Sequence, residues 1–327
     1  TPSLDVTYRK EKWSISVDAG YVFRTLKNSD RLRPNLSLEQ DFKALEIGAN
    51  FDYQFSPKAS MYSGYNLRNQ PPQIDQLQPF QDVSDPLNTV TGNPNLEPSN
   101  SHSLYFGYNS FDFQSGSGFY SYVSANLTNN QVVSKTTIDD DLVKNTTYTN
   151  VNGVYGVYTS ANYSKTVKLD TLRTLKYRIG LYSNTSRNIN FNNDVKYAST
   201  YTTVTPNASV TFNWKKIMEI VPNYRLSFTN NVFDLDGFDN QNFVSHTLVV
   251  RTTTFVPKKF EWRNDINFNY NPNIASGFQK SAWFWNSTLA YSMLKDKGTL
   301  TLKVYDLLNQ NTNAVRTATA NYIQDSQ

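Results

Sequence analysis

Two histidines, His102 and His246, are the chain's whole supply of imidazole, and cysteine is absent. A His- or Cys-rich zinc centre, thiolate chemistry and a disulfide framework are therefore excluded. Each histidine sits beside serine inside a strand-like pattern, which fits a structural position facing a lumen or an interface better than a general base. No Gly-x-Ser-x-Gly turn and no phosphate-cradling loop occurs, so no catalytic residue and no enzyme is expected. Carboxylates cluster twice. Asp234, Asp236 and Asp239, with Gly237 and Asn240 between and beside them, could offer oxygens to a hard cation. They lack the EF-hand spacing and its distant glutamate, so a solvated loop is the better reading. Asp139, Asp140 and Asp141 read as a wet loop tip. No metal and no cofactor is expected. Acceptor-like triplets at Asn126 and Asn145 are what an Asn-, Ser- and Thr-rich chain contains by chance.

The remaining chemistry is charge. Arg178, Arg225, Arg251 and Arg263 alternate with apolar neighbours and share their parity with Glu46, Asp52 and Asp265, as charges facing one lumen would. They would pair with a plug or tune ion selectivity. The net charge of +4 is mild, and no dense Lys/Arg cluster is interleaved with stacking aromatics, so nucleic acid is not a partner.

The elements that must carry these residues are strands. Leu45, Ile47, Ala49, Phe51, Tyr53 and Phe55 interleave with Ala44, Glu46, Gly48, Asn50, Asp52 and Gln54. Trp13, Ile15, Val17, Ala19, Tyr21 and Phe23 repeat the pattern against Ser14, Ser16, Asp18 and Gly20. Period two puts one apolar, aromatic face against one wet face. The pattern recurs about fourteen times across 327 residues, in stretches near the ten residues a tilted strand needs to cross a bilayer. No segment approaches the roughly 18 apolar residues of a membrane helix, and mean hydropathy is −0.57.

Connections alternate in length. Short joints fall near 10–11, 56–58, 112–118, 168–171, 215–216, 257–258 and 295–298. Long ones fall near 26–41, 68–98, 136–145, 188–196, 234–242, 271–279 and 309–320. In an up-and-down barrel this sorts short turns to one end and long loops to the other, as in outer-membrane barrels. Trp13, Phe55, Phe111, Trp214, Phe260 and Trp262 sit beside short joints, where an aromatic girdle belongs. Lysines crowd the same joints and aspartates the long loops. The expected fold is all-β: a transmembrane antiparallel up-and-down barrel with about fourteen strands present, residues 1–327 forming one barrel domain.

Three features mark that domain as a piece of something larger. There is no charged-then-apolar leader before Leu4, Val6 and Tyr8, so the chain reads as processed or cut from a longer protein. It begins inside a strand pattern. Its end, Asn321 to Gln327, is polar rather than an alternating strand with a terminal aromatic, so a last strand is expected to be absent.

From Asn66 to Tyr108 the chain carries Leu77 to Phe80, then Ser84-Asp85-Pro86, then Gly92-Asn93-Pro94-Asn95-Leu96-Glu97-Pro98, then a strand ending Phe106-Gly107-Tyr108. This resembles TonB-dependent receptor barrels, particularly the outer-membrane protein β-barrel family common in Bacteroidetes. Ser99 stands where the family usually has Glu. Leu302 to Asn309 resembles the next-to-last strand of those barrels, and Arg316 with Asn321, Tyr322 and Ile323 resembles the approach to the final one. By its residues the proline-rich segment is stiff, because six prolines fix φ and donate nothing to a ladder. Gly92-Asn93-Pro94 fits a tight turn, with Gly92 free to take positive φ and Asn93 held extended. A rigid loop over the barrel mouth is preferred to direct ligand contact.

The resemblance implies a 22-stranded barrel filled by an N-terminal plug and energised by TonB, this chain supplying about strands eight to twenty-one. Plug, TonB box and last strand would lie outside it. It implies import of a scarce nutrient (siderophore, oligosaccharide, peptide or cobalamin-like cofactor) across the outer membrane of a Gram-negative cell. The implied partners are outer-membrane lipid, the protein's own plug domain, TonB and a surface lipoprotein. Arg68, Asp75, Phe80 and Asp85 are the candidates for substrate contact. The rivals are a plug-free passive porin, a surface adhesion or structural barrel, and a soluble β-sandwich.

Overall fold

Alternation becomes sheet wherever each strand can hand its backbone hydrogen bonds to a neighbour. The computed structural model describes residues 1–82, 85–255, 257–295, 297–310, 315–318 and 323–326. The strands are β1 (Ser3–Lys10), β2 (Trp13–Asn28), β3 (Leu38–Ser56), β4 (Ala59–Gln70), β5 (Gln81–Asp82), β6 (Asn88–Thr91) and β7 (Ser99–Asp112). There follow β8 (Ser117–Asn129), β9 (Gln131–Ile138), β10 (Lys144–Val151), β11 (Val154–Lys168), β12 (Arg173–Asn192), β13 (Val195–Trp214) and β14 (Met218–Phe233). The last are β15 (Gln241–Thr254), β16 (Phe260–Tyr270), β17 (Ser281–Met293), β18 (Gly298–Val304), β19 (Val315–Ala318) and β20 (Ile323–Ser326). One helical turn, α1 (Ile74–Leu77), lies between β4 and β5.

Fourteen of these strands form a single sheet in the order β1-β2-β3-β4-β7-β8-β11-β12-β13-β14-β15-β16-β17-β18. Every pairing in it is antiparallel and joins strands that follow one another up and down. Among the described residues β1 pairs only with β2 and β18 only with β17, so the sheet is an open-edged arc of barrel wall.

Register carries the alternation across the whole wall. Ile15, Val17, Ala19 and Tyr21 face Phe51, Ala49, Ile47 and Leu45, which lie on one face with Tyr65 and Leu67 of β4. Farther round, Tyr163, Ile179, Ala208, Tyr224, Leu248, Phe268 and Trp283 follow one another across seven strands on that face. A soluble protein would bury it. Here Leu4, Phe23, Leu104 and Ile179 keep 66, 54, 56 and 61% of their surface exposed, which rules out a soluble sandwich.

The short-turn end is as expected, with joints of a few residues between β1 and β2, β3 and β4, and each later pair. The other end differs in two places. The expected loop at 188–196 is a two-residue turn: Asn193 and Asp194 take φ of 45° and 67°, and β12 and β13 run on to meet it. Both residues tolerate left-handed backbone, which suits the two-residue hairpin turn. The loop expected at 136–145 widens to a hairpin of its own, because Asn130 at φ 53° turns the chain out of β8 and into β9. Beyond Val304 the segment expected to continue as strand leaves the sheet, and Asp306 hangs from Asn286 by its amide at 3.0 Å. Of the loop expected near 309–320 and the polar end at 321–327, residues 311–314, 319–322 and 327 lie outside the described residues, as does Ser84.

Candidate functional site

Aromatic residues set the site's axis. At the short-turn end Tyr8, Trp13 and Phe51 form one chain of ring contacts and Tyr53, Phe55, Tyr108 and Phe119 another, with Phe260 against Tyr291 farther round. Trp13, Trp214, Phe260 and Trp262 lie on the apolar face as a girdle requires. Phe111 does not. Its register, opposite Gly118, places it on the polar face, where Gly118 leaves room for the ring. Toward the long-loop end the apolar face carries a second set: Tyr21 with Phe23, Tyr65 with His102, Tyr224 and Tyr270 with His246, and Phe268 with Trp283. Trp262 and Tyr270 are eight residues apart on β16, about 26 Å of strand. Tilted by about 40°, that length rises roughly 20 Å along the membrane normal, most of an apolar band of roughly 25 Å.

Both histidines thus belong to the outer girdle. Nδ1 of His102 lies 2.8 Å from the Tyr65 hydroxyl and Nδ1 of His246 lies 2.7 Å from that of Tyr224. Each ring meets a phenol on the apolar face, the interface role the sequence allowed.

Above the long-loop end sits a small folded assembly. β5, β6, β10 and β9 form a second sheet in that order, with β6 and β10 parallel. Leu77 and Leu96 are fully buried there beside Phe42, and Leu26, Leu38, Val132 and Tyr148 pack around them. A second cluster of Val151, Ile189 and Ala198 ties the hairpin to the tips of β12 and β13. Lys135 reaches Asp194 at 2.9 Å, and Asn193 accepts from the amide of Ile138 at 2.9 Å.

The Gly92–Pro98 signature is the fastening of that assembly. Gly92 is not at positive φ, contrary to expectation. It is needed because a Cβ there would lie 2.2 Å from the Gln78 carbonyl oxygen and 2.8 Å from that of Asp75. Asn93 donates its amide to Gln76 O at 2.6 Å and its Nδ2 to Tyr148 O at 2.9 Å. Leu96 is in the core, and Glu97 accepts from Asn130 Nδ2 at 2.8 Å.

The four substrate-contact candidates are not brought together. Among the described residues none makes a hydrogen bond, ion pair or ring contact with another. Arg68 is on the polar face of β4, 3.6 Å from Asp18. Asp75 is exposed on α1. Phe80 stacks under the Arg33 guanidinium at 4.8 Å. Asp85 holds a turn, accepting from the Leu87 amide at 3.0 Å and from Asn88 Nδ2 at 2.7 Å. Asp234 ties the end of β14 back to the wall, accepting from the Ala198 amide of β13 and facing Arg187 of β12 at 3.9 Å. Among the described residues no three acidic or imidazole groups converge as a metal site. Asp30 in the β2–β3 loop has its carboxyl held below the usual range, first by the backbone N–H of Arg33.

The sequence from 48–227 and again from 203–327 matches the profile of the Outer membrane protein beta-barrel family. The chain belongs to that family. No curated protein is significantly similar to it.

In an outer-membrane barrel the exposed apolar face meets lipid, and the polar face lines the lumen. The lumen wall has two districts that sequence alone did not reveal. Tyr105, Tyr62, Tyr122 and Tyr158 make a ladder across β7, β4, β8 and β11, with ring centroids 6.2, 6.4 and 6.2 Å apart. Farther round, Lys176, Arg178, Arg225 and Arg251 converge on one concavity. Arg178, Arg225, Arg251, Arg263, Glu46, Asp52 and Asp265 do share this face, as their alternation required.

Proposed function

We propose that this barrel is the wall of a TonB-dependent receptor that imports a scarce, bulky nutrient across the outer membrane of a Gram-negative cell. The observation that carries the reading is the assembly at the long-loop end. A fixed platform built on α1, β5, β6, β9 and β10 overhangs the wall and is bolted by the same Gly92–Pro98 residues that resemble the receptor signature. A general-diffusion pore has no need of such a structure; a receptor that must hold a solute at its mouth does.

On this reading the open edges of β1 and β18 are joined by further strands, toward a barrel of about 22. A plug fills the lumen, TonB supplies the energy, and a surface lipoprotein covers the platform. Arg68, Asp75, Phe80 and Asp85 are the candidates for contact with the solute. No bond is made or broken, and the chemistry is capture, gating and release.

The test is uptake by cells carrying the full-length protein, with and without an uncoupler of the inner membrane. Accumulation that stops when the membrane is de-energised supports the receptor. A steady ionic conductance of the purified protein in planar bilayers, with uptake insensitive to the uncoupler, makes it a passive porin instead.

A further inference from the structure

We infer that the lumen wall at β12–β15 holds an oxyanion site for a ring-bearing, negatively charged solute. Lys176 and Arg178 are two residues apart on β12 and so share the polar face; Arg225 on β14 and Arg251 on β15 approach from beyond β13. The four line one cavity of about 270 Å³. Arg251 is matched by Asp265 at 3.4 Å, and Glu219, two residues from Val221 in the lining, accepts from Asn213 at 3.1 Å. Among the described residues Lys176, Arg178 and Arg225 have no ion-pair partner, and three cations facing one concavity repel unless an anion joins them.

Lysine and arginine offer donors and no acceptor, so the complement of the three unpaired cations is a group with several acceptor oxygens: a phosphate, a sulfate or a carboxylate.

Arg178 also lines a neighbouring cavity of about 410 Å³ whose wall includes Phe111, Tyr120, Asn162 and Tyr182. Tyr182 donates to Asn162 at 3.1 Å. Aromatic faces and amides beside a guanidinium suit the ring of a sugar or an aromatic acid whose charged arm reaches the cations. The site deepens the receptor reading by naming its cargo class and rests on that reading only for the claim that the anion is cargo.

The experiment is calorimetric titration of the detergent-solubilised full-length protein with inorganic phosphate, phenyl phosphate and phenol. Phenyl phosphate should bind more tightly than inorganic phosphate, phenol should not bind, and added salt should weaken both phosphates. The double variant Arg178→Gln, Arg225→Gln should lose at least about tenfold in affinity, the factor of one hydrogen bond to a charged group. Lys303→Gln, on the polar face of β18, should leave affinity unchanged. Tyr182→Ala should bring phenyl phosphate down to the affinity of inorganic phosphate. Neither phosphate binding, or both binding equally well to the double variant, would overturn the site; equal affinity for the two phosphates in the unaltered protein would remove its ring half. Binding in detergent needs no energy source, so binding without energised uptake sinks the receptor reading alone, and uptake without binding sinks the site alone.

Discussion

Tyr105 lies against Gly64 on the neighbouring strand, so close that a Cβ on the glycine would sit 2.5 Å from the ring. The phenol is pinned in that place by its hydroxyl, which donates to Asn50 Oδ1 at 2.6 Å. Tyr62 and Gly107, the next polar-face pair along the same two strands, repeat the arrangement in mirror order, with 2.1 Å to the ring. Each glycine makes room for the opposite ring, and the tyrosine ladder depends on both.

Gly64→Ala should therefore displace the Tyr105 ring and break its bond to Asn50. The expected cost is about 1–3 kcal/mol, the range for overpacking a filled site. Unfolding of the full-length protein in detergent, followed by intrinsic fluorescence, reads it directly. Gly64→Ala in a Tyr105→Ala background should cost much less, because the ring is gone.

Gly92→Ala should act differently, because its obstacle is backbone. The added methyl meets the carbonyls of Gln78, Asp75 and Gln76, none of which can swing away as a side chain can. The loop assembly should loosen while the wall stays intact. Hydrogen exchange should show faster exchange across 73–82, 85–98 and 131–151, with β12 before residue 187 and β13 after residue 200 unaltered. Uniformly faster exchange throughout the wall would contradict this division.

The wall was legible because period two is a local signal: Leu45 to Tyr53 needs no partner to declare its faces. What the alternation could not show is what depends on other strands. By composition β9 continues β8, since Val132 and Val133 extend the apolar pattern and only the φ of Asn130 turns the chain away. The Asn-rich run at 188–196 has the composition of a loop, because a strand that rises clear of the membrane needs no apolar face to remain a strand. Nearness to a turn suggests a girdle position for Phe111, whereas parity puts it on the polar face. The role of Gly92 is set by carbonyls fourteen to seventeen residues earlier, and the grouping of Lys176 with Arg225 by register across β13. None of these is visible within a single strand.

The two faces should respond oppositely to charge. Ile266, midway between Trp262 and Tyr270 on β16, is on the apolar face; Asn184 of β12 is on the polar face. Ile266→Arg should lower folding stability in phospholipid vesicles by about 2–4 kcal/mol, the cost near a bilayer midplane. Asn184→Arg should leave it within about 0.5 kcal/mol. Comparable losses in both would mean that the apolar face does not meet lipid.

Acid should weaken the short-turn end through Asp170. Its carboxylate accepts from the Leu172 and Arg173 amides, both at 2.8 Å, and pairs with the Arg173 guanidinium at 2.6 Å. The Leu172 amide is the largest cause holding its pKa below the usual range, with Arg173 next. A depressed folded pKa means that the ionised form favours the folded turn. That contribution is complete above the unfolded value of about 3.9 and is lost as pH falls through the folded pKa. Asp170→Asn removes the titration, so its deficit against the unaltered protein should be widest near neutrality and shrink as pH drops below about 4. Unfolding measured in detergent at a series of pH values reads the two curves, and a deficit independent of pH would assign the turn's stability to geometry alone.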